Sequence, residues 1–248
     1  MPRDPARACA AAFGYTPRVL SLVLAAAFFV GIHVGISGTR ARDGLTARVG
    51  EQAYLGLFSL ASLVGMIWLT TAYAAAPYVA LWGQLGALRP LALPVVLVAF
   101  VFVVLGLTTP SPTVVGGEKA LTADEPATGI QRVTRHPFLW GVALWAATHV
   151  VVNGNLRALV LFGSLLFLAL YGPSSIDAKR ARRFGAPWDR YAAVTSIVPF
   201  LAIAQGRNEL RLHELGWGRV ALAFVVFGVF LLLHPMIVGG NPLGFLMR

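Results

Sequence analysis

The chain has 248 residues, 57% of them hydrophobic and only 12% charged, with net charge +10 and mean hydropathy +0.73. Soluble domains carry about 25% charged residues, so a water-soluble globule is excluded, and the single cysteine, Cys9, excludes an internal disulfide and a CxxC metal site. No RNA- or DNA-binding motif accompanies the positive charge. It reads as basic loops facing anionic lipid, so membrane lipid, and not nucleic acid, is the expected partner.

Charges are segregated along the chain. Charge-free windows cover 19–39, 52–88, 90–117, 136–156, 158–176 and 220–247, each able to hold a spanning helix of about 20 apolar residues. The expectation is an all-α fold: a polytopic integral membrane helical bundle of about six transmembrane helices, forming a single membrane domain over 1–248. A short basic tail, 1–18, precedes helix one at 19–38. No cleavable signal peptide is expected, because helix one is long enough to stay in the membrane and no A-x-A site follows it. The sequence RARDGLTARVGE (40–51) reads as a loop and helix two as 52–75, ending before Pro77 among the interfacial aromatics Tyr73, Tyr78 and Trp82.

Helix three is placed at 90–108. Residues 109–135, rich in Pro, Gly and Thr, read as a surface loop with room for a helical turn. Helix four starts at His136-Pro137, since proline suits the first helical position, and ends near Asn153-Gly154-Asn155. Helix five is 156–173, and a polar segment follows at 174–190. YAAVTSIVPFLAIAQG (191–206) is too short to span and is broken by Pro199, so it reads as interfacial or re-entrant. Helix six is 219–238. With six spans, the loops after helices one, three and five hold 14 Lys and Arg against 6 on the other side, so these loops are expected to be cytoplasmic. The Ala- and Arg-rich composition points to a bacterial source, and hence to a multi-pass protein of the bacterial inner (cytoplasmic) membrane.

Histidines carry the chemistry. His33, His149 and His234 fall inside predicted spans, His136 at a span entrance, and His213 in a charged, solvated segment. An ionisable group at membrane depth is a functional candidate, and neutral imidazole is the form that ligates haem iron. His136 also reads as a simple cap of helix four, with Arg135 at the headgroups; for His33 and His149 a hydrogen bond to a neighbouring helix competes with ligation. In RHPFLWGVALWAATH, His136 and His149 stand about 20 Å apart along one helix and about 140° around it, so they cannot share one iron. Counted from the same face, His33 lies about 10 Å deep, His149 about 20 Å and His234 about 22 Å. Depth alone therefore pairs His149 with His234, and a tilt brings His33 level. Gly31 and Gly35, flanking His33 in GIHVG, let a helix or a flat macrocycle approach. No Ser-His-Asp set, HExxH, P-loop or GxGxxG is present.

RHPFLWG, WAATHVVVNGN and RRFGAPWDRYAAVTSIVPFLAIAQGR, in that order, together with His33 in GIHVGISGTRAR, resemble the NnrU / 15-cis-zeta-carotene isomerase family, best over 130–210. The resemblance implies an integral membrane protein binding haem b, with His33 and His149 as iron ligands and catalytic residues. His136 is then a supporting family histidine, and His234 stands as the alternative cofactor-binding partner of His149. In such isomerases reduction frees a coordination position, and the reduced haem isomerises a cis double bond of a long polyene without net redox change. An apolar polyene substrate and a redox partner follow, with Phe138, Trp140 and Trp145 as lining candidates. The NnrU branch is associated with denitrification. Ala146 stands where plant-type isomerases carry a cysteine, so a thiolate–histidine ligand switch is absent in that form. A charged element survives as Asp177, Lys179 and Arg180.

Two other classes fit parts of the pattern. RHP followed by FGxxWxxY (184–191) also suits an S-adenosylmethionine-dependent membrane methyltransferase of the isoprenylcysteine type, although its usual acidic pair is reduced to Asp177. A non-enzymatic membrane factor in nitrite or nitric oxide respiration is the third.

Overall fold

The computed structural model describes residues 5–114 and 116–244, with side chains from residue 16 onward, so the Cys9 side chain lies outside the described residues. Its helices are α1 (Pro5–Gly31), α2 (Ala41–Val49), α3 (Glu51–Ala75), α4 (Arg89–Thr108), α5 (Pro137–Asn153), α6 (Leu156–Phe184), α7 (Ala186–Val194), α8 (Leu201–Ala204) and α9 (Trp217–Val238). Among the described residues there is no strand, only an isolated bridge between Ala80 and Asn155. Five stretches are long and apolar enough to cross a membrane: Thr16–Ser37, Glu51–Ala75, Gly86–Thr108, Leu156–Phe184 and Trp217–Val238. The expected sixth is α5, which at 17 residues meets only the lower limit for spanning. The protein is thus a helical membrane bundle, as composition requires.

Three boundaries differ from the sequence reading. The 1–18 tail is helical from Pro5 and continuous with α1. The 40–51 loop contains α2, closed by Gly50 at φ +84°. Helix five runs on as α6 to Phe184, through the whole first half of the polar segment. Charged residues terminate a membrane span but not a helix, since Arg, Lys and Asp continue the hydrogen-bond ladder once outside the hydrocarbon.

Chain contacts divide the protein into two compact units: residues 1–85 with 149–168 (unit 1), and 86–148 with 169–248 (unit 2). In unit 1, α1 packs against α3 around Leu22, Ala25, Phe29, Leu69 and Ala72, all buried. A Cβ added at Gly65 of α3 would meet Phe28 and Phe29 at 3.0–3.2 Å, so a small residue there sets the close approach. Trp68 Nε1 donates to Ser21 Oγ at 3.1 Å. Beyond α3, the N–H groups of Leu81, Trp82 and Gly83 all point at the Gly154 carbonyl, at 2.9, 3.2 and 3.0 Å. Gly154 has φ +55°, and a Cβ there would lie 2.0 Å from Gly83 O, so glycine is required at this turn.

In unit 2, Phe100 of α4 packs on Phe227 and Phe230 of α9. Gly106 and Gly141 let α4 and α5 touch backbone to backbone: added Cβ atoms would come 2.5 Å from Phe138 N and 2.6 Å from Ala99 O. The 191–206 stretch is broken and does not span. After α7 the chain turns, with Phe200 at φ 63°, and lies along the entrance to α5: Arg135 N–H donates to Ser196 O and Phe200 N–H to Val133 O, at 3.0 and 2.8 Å.

Candidate functional site

The first candidate site lies in unit 1, at the end of α1. There the helix loosens into a π-helical turn over Ile32–Ser37, a distortion often found at functional sites because it re-aims side chains. His33 sits in that turn, half-buried. Its Nδ1–H donates to the Phe29 carbonyl at 2.7 Å. With Nδ1 occupied, Nε2 is the ring nitrogen left for a further partner. The ring is held between Phe29, 4.4 Å away, and the edge of Phe58 on α3, 5.2 Å away. Gly31 and Gly35 are exposed, and a Cβ built on either meets nothing within 4 Å.

From Phe58 the contacts continue. Tyr54 stacks on Phe58 at 5.8 Å, and the Arg42 guanidinium lies 5.5 Å over the Tyr54 ring. A second ladder of the same composition surrounds His149. Phe162 of α6 stacks on the imidazole at 4.7 Å, Tyr73 of α3 meets Phe162 edge-on at 6.0 Å, and Arg157 lies 5.2 Å over Tyr73. The His149 carbonyl also accepts from Asn153 Nδ2 at 2.8 Å. Each histidine is thus the inner end of a His–Phe–Tyr–Arg series. The two series touch opposite ends of α3: Phe58 and Tyr73 are about 15 residues apart, or ~22 Å of helix rise.

The other predicted histidines belong to unit 2. His234 lies near the end of α9, where Nδ1–H donates to Gly240 O at 2.7 Å and closes the helix terminus. His213 is exposed, as expected. His136 stands at the start of α5, where its carbonyl accepts from Trp140 N–H at 3.1 Å. The sequence did not show what its side chain meets: the residue is 3% exposed and donates from Nε2 to Asp177 Oδ1 at 2.7 Å. Arg135 clamps the other carboxylate oxygen with Nε at 2.8 Å and Nη2 at 2.6 Å. Burial pushes the His136 imidazole below its ordinary pKa, against the upward pull of Asp177, with Arg135 adding to the depression. His136 is therefore neutral and fixed with the proton on Nε2.

The same region holds other paired charges. Arg180, also buried, donates to Glu118 at 2.7 Å and to the Val114 carbonyl at 2.8 Å. Arg132 forks onto Glu214 with contacts of 2.7 and 2.9 Å, and reaches Glu125 and Asn208. The Arg132 hydrogen bonds hold the Glu214 carboxyl down at about 2. Trp188 and Tyr191, of the FGxxWxxY pattern, are buried with Leu121 and Ala127, so their aromatic surface goes into packing. Of the proposed polyene-lining residues, Trp140 donates to Ile197 O at 2.8 Å and packs on the Phe102–Leu105–Ile130–Val133 cluster, while Phe138 is exposed.

Polar satisfaction separates the regions. Among the described residues, three buried side-chain polar atoms have no hydrogen-bond partner: Tyr54 Oη, Ser62 Oγ and Arg157 Nε, all in unit 1. Tyr54, Phe58 and Ser62 fall at i, i+4 and i+8 and so form one stripe of α3, the stripe that meets His33. The sequence reading missed this stripe. Four-residue spacing was its only sequence signal, and in a wholly apolar helix that spacing marks no particular face.

Comparison with known proteins bears on the whole chain. The family model described as "NnrU protein" matches residues 21–242. The chain is 36% identical over 83 residues to the chloroplastic 15-cis-zeta-carotene isomerase of Arabidopsis thaliana, and 35% identical over 83 residues to that of Zea mays. Each match covers 34% of this chain and spans 23% of the relative's own length. No solved structure matches. With the family model covering nearly all of the sequence, from helix one through the end of α9, the chain belongs to the NnrU family.

Proposed function

We propose that this chain is a multi-pass protein of the bacterial inner membrane that converts a cis double bond of an apolar polyene to trans, using haem b held in unit 1 by histidine. Family membership and the stretch shared with two zeta-carotene isomerases support the reaction class. The observation that carries the cofactor is His33: an imidazole in an apolar span, with Nδ1–H tied to Phe29 O and Nε2 left as the ligating nitrogen.

The residues around His33 fit such a group. The Nδ1 hydrogen bond leaves Nε2 as the nitrogen for a further partner, the ring lies between Phe29 and Phe58, and the bare faces of Gly31 and Gly35 offer room for a flat ring. His149 supplies the second imidazole of the unit. Because it is lodged at the other end of α3, ligation of one iron by both histidines needs the two to draw together, and His33 is the ligand proposed first. A haem bound there supplies an iron whose ligation changes with oxidation state and which donates electron density to a polyene.

The chain's own part is solvation and positioning. A hydrocarbon substrate has no polar handle, so it is retained by the apolar walls of the spans, and it reaches them laterally from lipid. Cis-to-trans conversion leaves the polyene's composition and electron count unchanged. The test is direct. Protein purified in mild detergent with added haem should show a Soret band shifted from that of haem in the detergent alone, and in the reduced form it should change the isomer ratio of a cis-polyene. Absence of the shift sinks the cofactor reading; an unchanged isomer ratio with haem bound sinks the reaction.

A further inference from the structure

The stripe of α3 facing His33 carries an unexplained feature. Tyr54 is 6% exposed, yet its hydroxyl has no partner. A buried phenol normally finds one, and leaving it unmade costs free energy. Beside it stands a cation. Arg42 lies over the Tyr54 ring and gives one nitrogen, Nη2, to Glu51 Oε1 at 3.2 Å, while a guanidinium has five N–H donors. Glu51 is the acidic group facing this cation, and its side chain is half-exposed. Tyr54 and Arg42 therefore present a hydrogen-bond donor and a positive charge together, a pair suited to a carboxylate.

The placement relative to His33 decides which carboxylate. Two ring-to-ring steps, 5.2 Å from His33 to Phe58 and 5.8 Å from Phe58 to Tyr54, lead from the imidazole toward the Arg42 end of α3. A haem carries its two carboxylates at one edge, half a macrocycle from the iron. We propose that Tyr54 and Arg42 anchor the haem propionates, with Tyr54 Oη–H donating and the Arg42 fork supplying charge, so that the ring lies with its polar edge toward the headgroups and its apolar edge toward the bilayer centre. Ser62, the other unpartnered hydroxyl of the stripe, lies one turn beyond Phe58 on the opposite side from Tyr54. This assignment rests on the haem reading above and fixes the orientation of the group within the site.

The experiment uses the full chain in detergent, titrated with haem b and, separately, with its dimethyl ester, whose propionates can neither carry charge nor accept as carboxylates. Wild type should bind haem b about tenfold or more tightly than the ester. Tyr54→Phe keeps the ring stack and removes only the oxygen; Arg42→Gln removes the charge. Each should shrink the preference, and the double variant should abolish it with ester binding unchanged. A shifted Soret band in all variants with the wild-type preference intact overturns the anchor while the haem reading stands. No shifted band in wild type overturns both.

Discussion

Units 1 and 2 handle buried polarity in opposite ways. Unit 2 contains the more strongly charged interior, with Arg132, Arg135, His136, Asp177 and Arg180 all in hydrogen-bonded pairs. Unit 1 contains fewer such groups, yet every unpartnered buried side-chain polar atom among the described residues belongs to it. Completed networks rigidify a fold, and incomplete ones cost stability unless something else completes them. The contrast separates a region of completed networks, which includes the RHP histidine, from one that holds His33 and the unpartnered buried atoms.

The sharpest break of that comparison is spectroscopic. His33→Ala should abolish the shift of the Soret band that haem shows on binding the wild-type protein, whereas His149→Ala should retain it. Equal loss in both would show that unit 1 brings the two histidines to one iron. Next in size is a change in unit 2. Asp177→Ala strands the Arg135 guanidinium and His136, both largely buried, and removing one partner of a buried pair costs ~3–5 kcal/mol. The thermal midpoint in detergent should fall sharply, and an unchanged midpoint would show that the network is not structural.

Gly154→Ala comes third. Positive φ together with a 2.0 Å approach to Gly83 O should cost roughly 1–3 kcal/mol, read as a lower midpoint than that of Gly116→Ala, where an added Cβ meets nothing. The acid limb of stability is a smaller effect. His136 has a folded pKa depressed by burial. Its contribution is therefore fully present above the unfolded value, about 6.5, and is lost as pH falls below it toward the folded value. Glu214 behaves differently: its contribution is present above the ordinary carboxyl value and fades only as pH falls toward about 2. A midpoint that declines between pH 7 and 5 in wild type but not in His136→Gln would assign that limb. Smallest of all is Tyr54→Phe without ligand. Since the hydroxyl is unpartnered, stability should be unchanged or rise by ~1 kcal/mol; a clear loss would mean that the oxygen has a partner in the folded protein.

Much of the fold was legible because hydropathy is a local property. The ends of α3 before Pro77, of α5 at Asn153 and of α4 at Thr108 follow from apolar length and helix-stopping residues. The helix α2 was missed because its few apolar residues give it no periodic signal, and α6 was underestimated because polarity was taken as a helix end. Of the site, the histidines were visible by residue type and depth. Their surroundings were not. The Phe–Tyr–Arg series beside His33 and His149 join residues from separate helices, and no spacing in the sequence announces them.

By itself the sequence determined that this is a helical membrane protein of the NnrU type, since about 20 apolar residues in succession have no other stable place than a bilayer, and it singled out the histidines within those spans. Only the tertiary structure decided what each histidine does. Asp177 reaches His136 across 41 residues of chain and turns it into a satisfied part of the scaffold, while the loosened turn of α1 leaves His33 with one nitrogen held and the other free. The reason is physical: a buried imidazole takes its protonation and orientation from its neighbours, and those neighbours are assembled by helix packing.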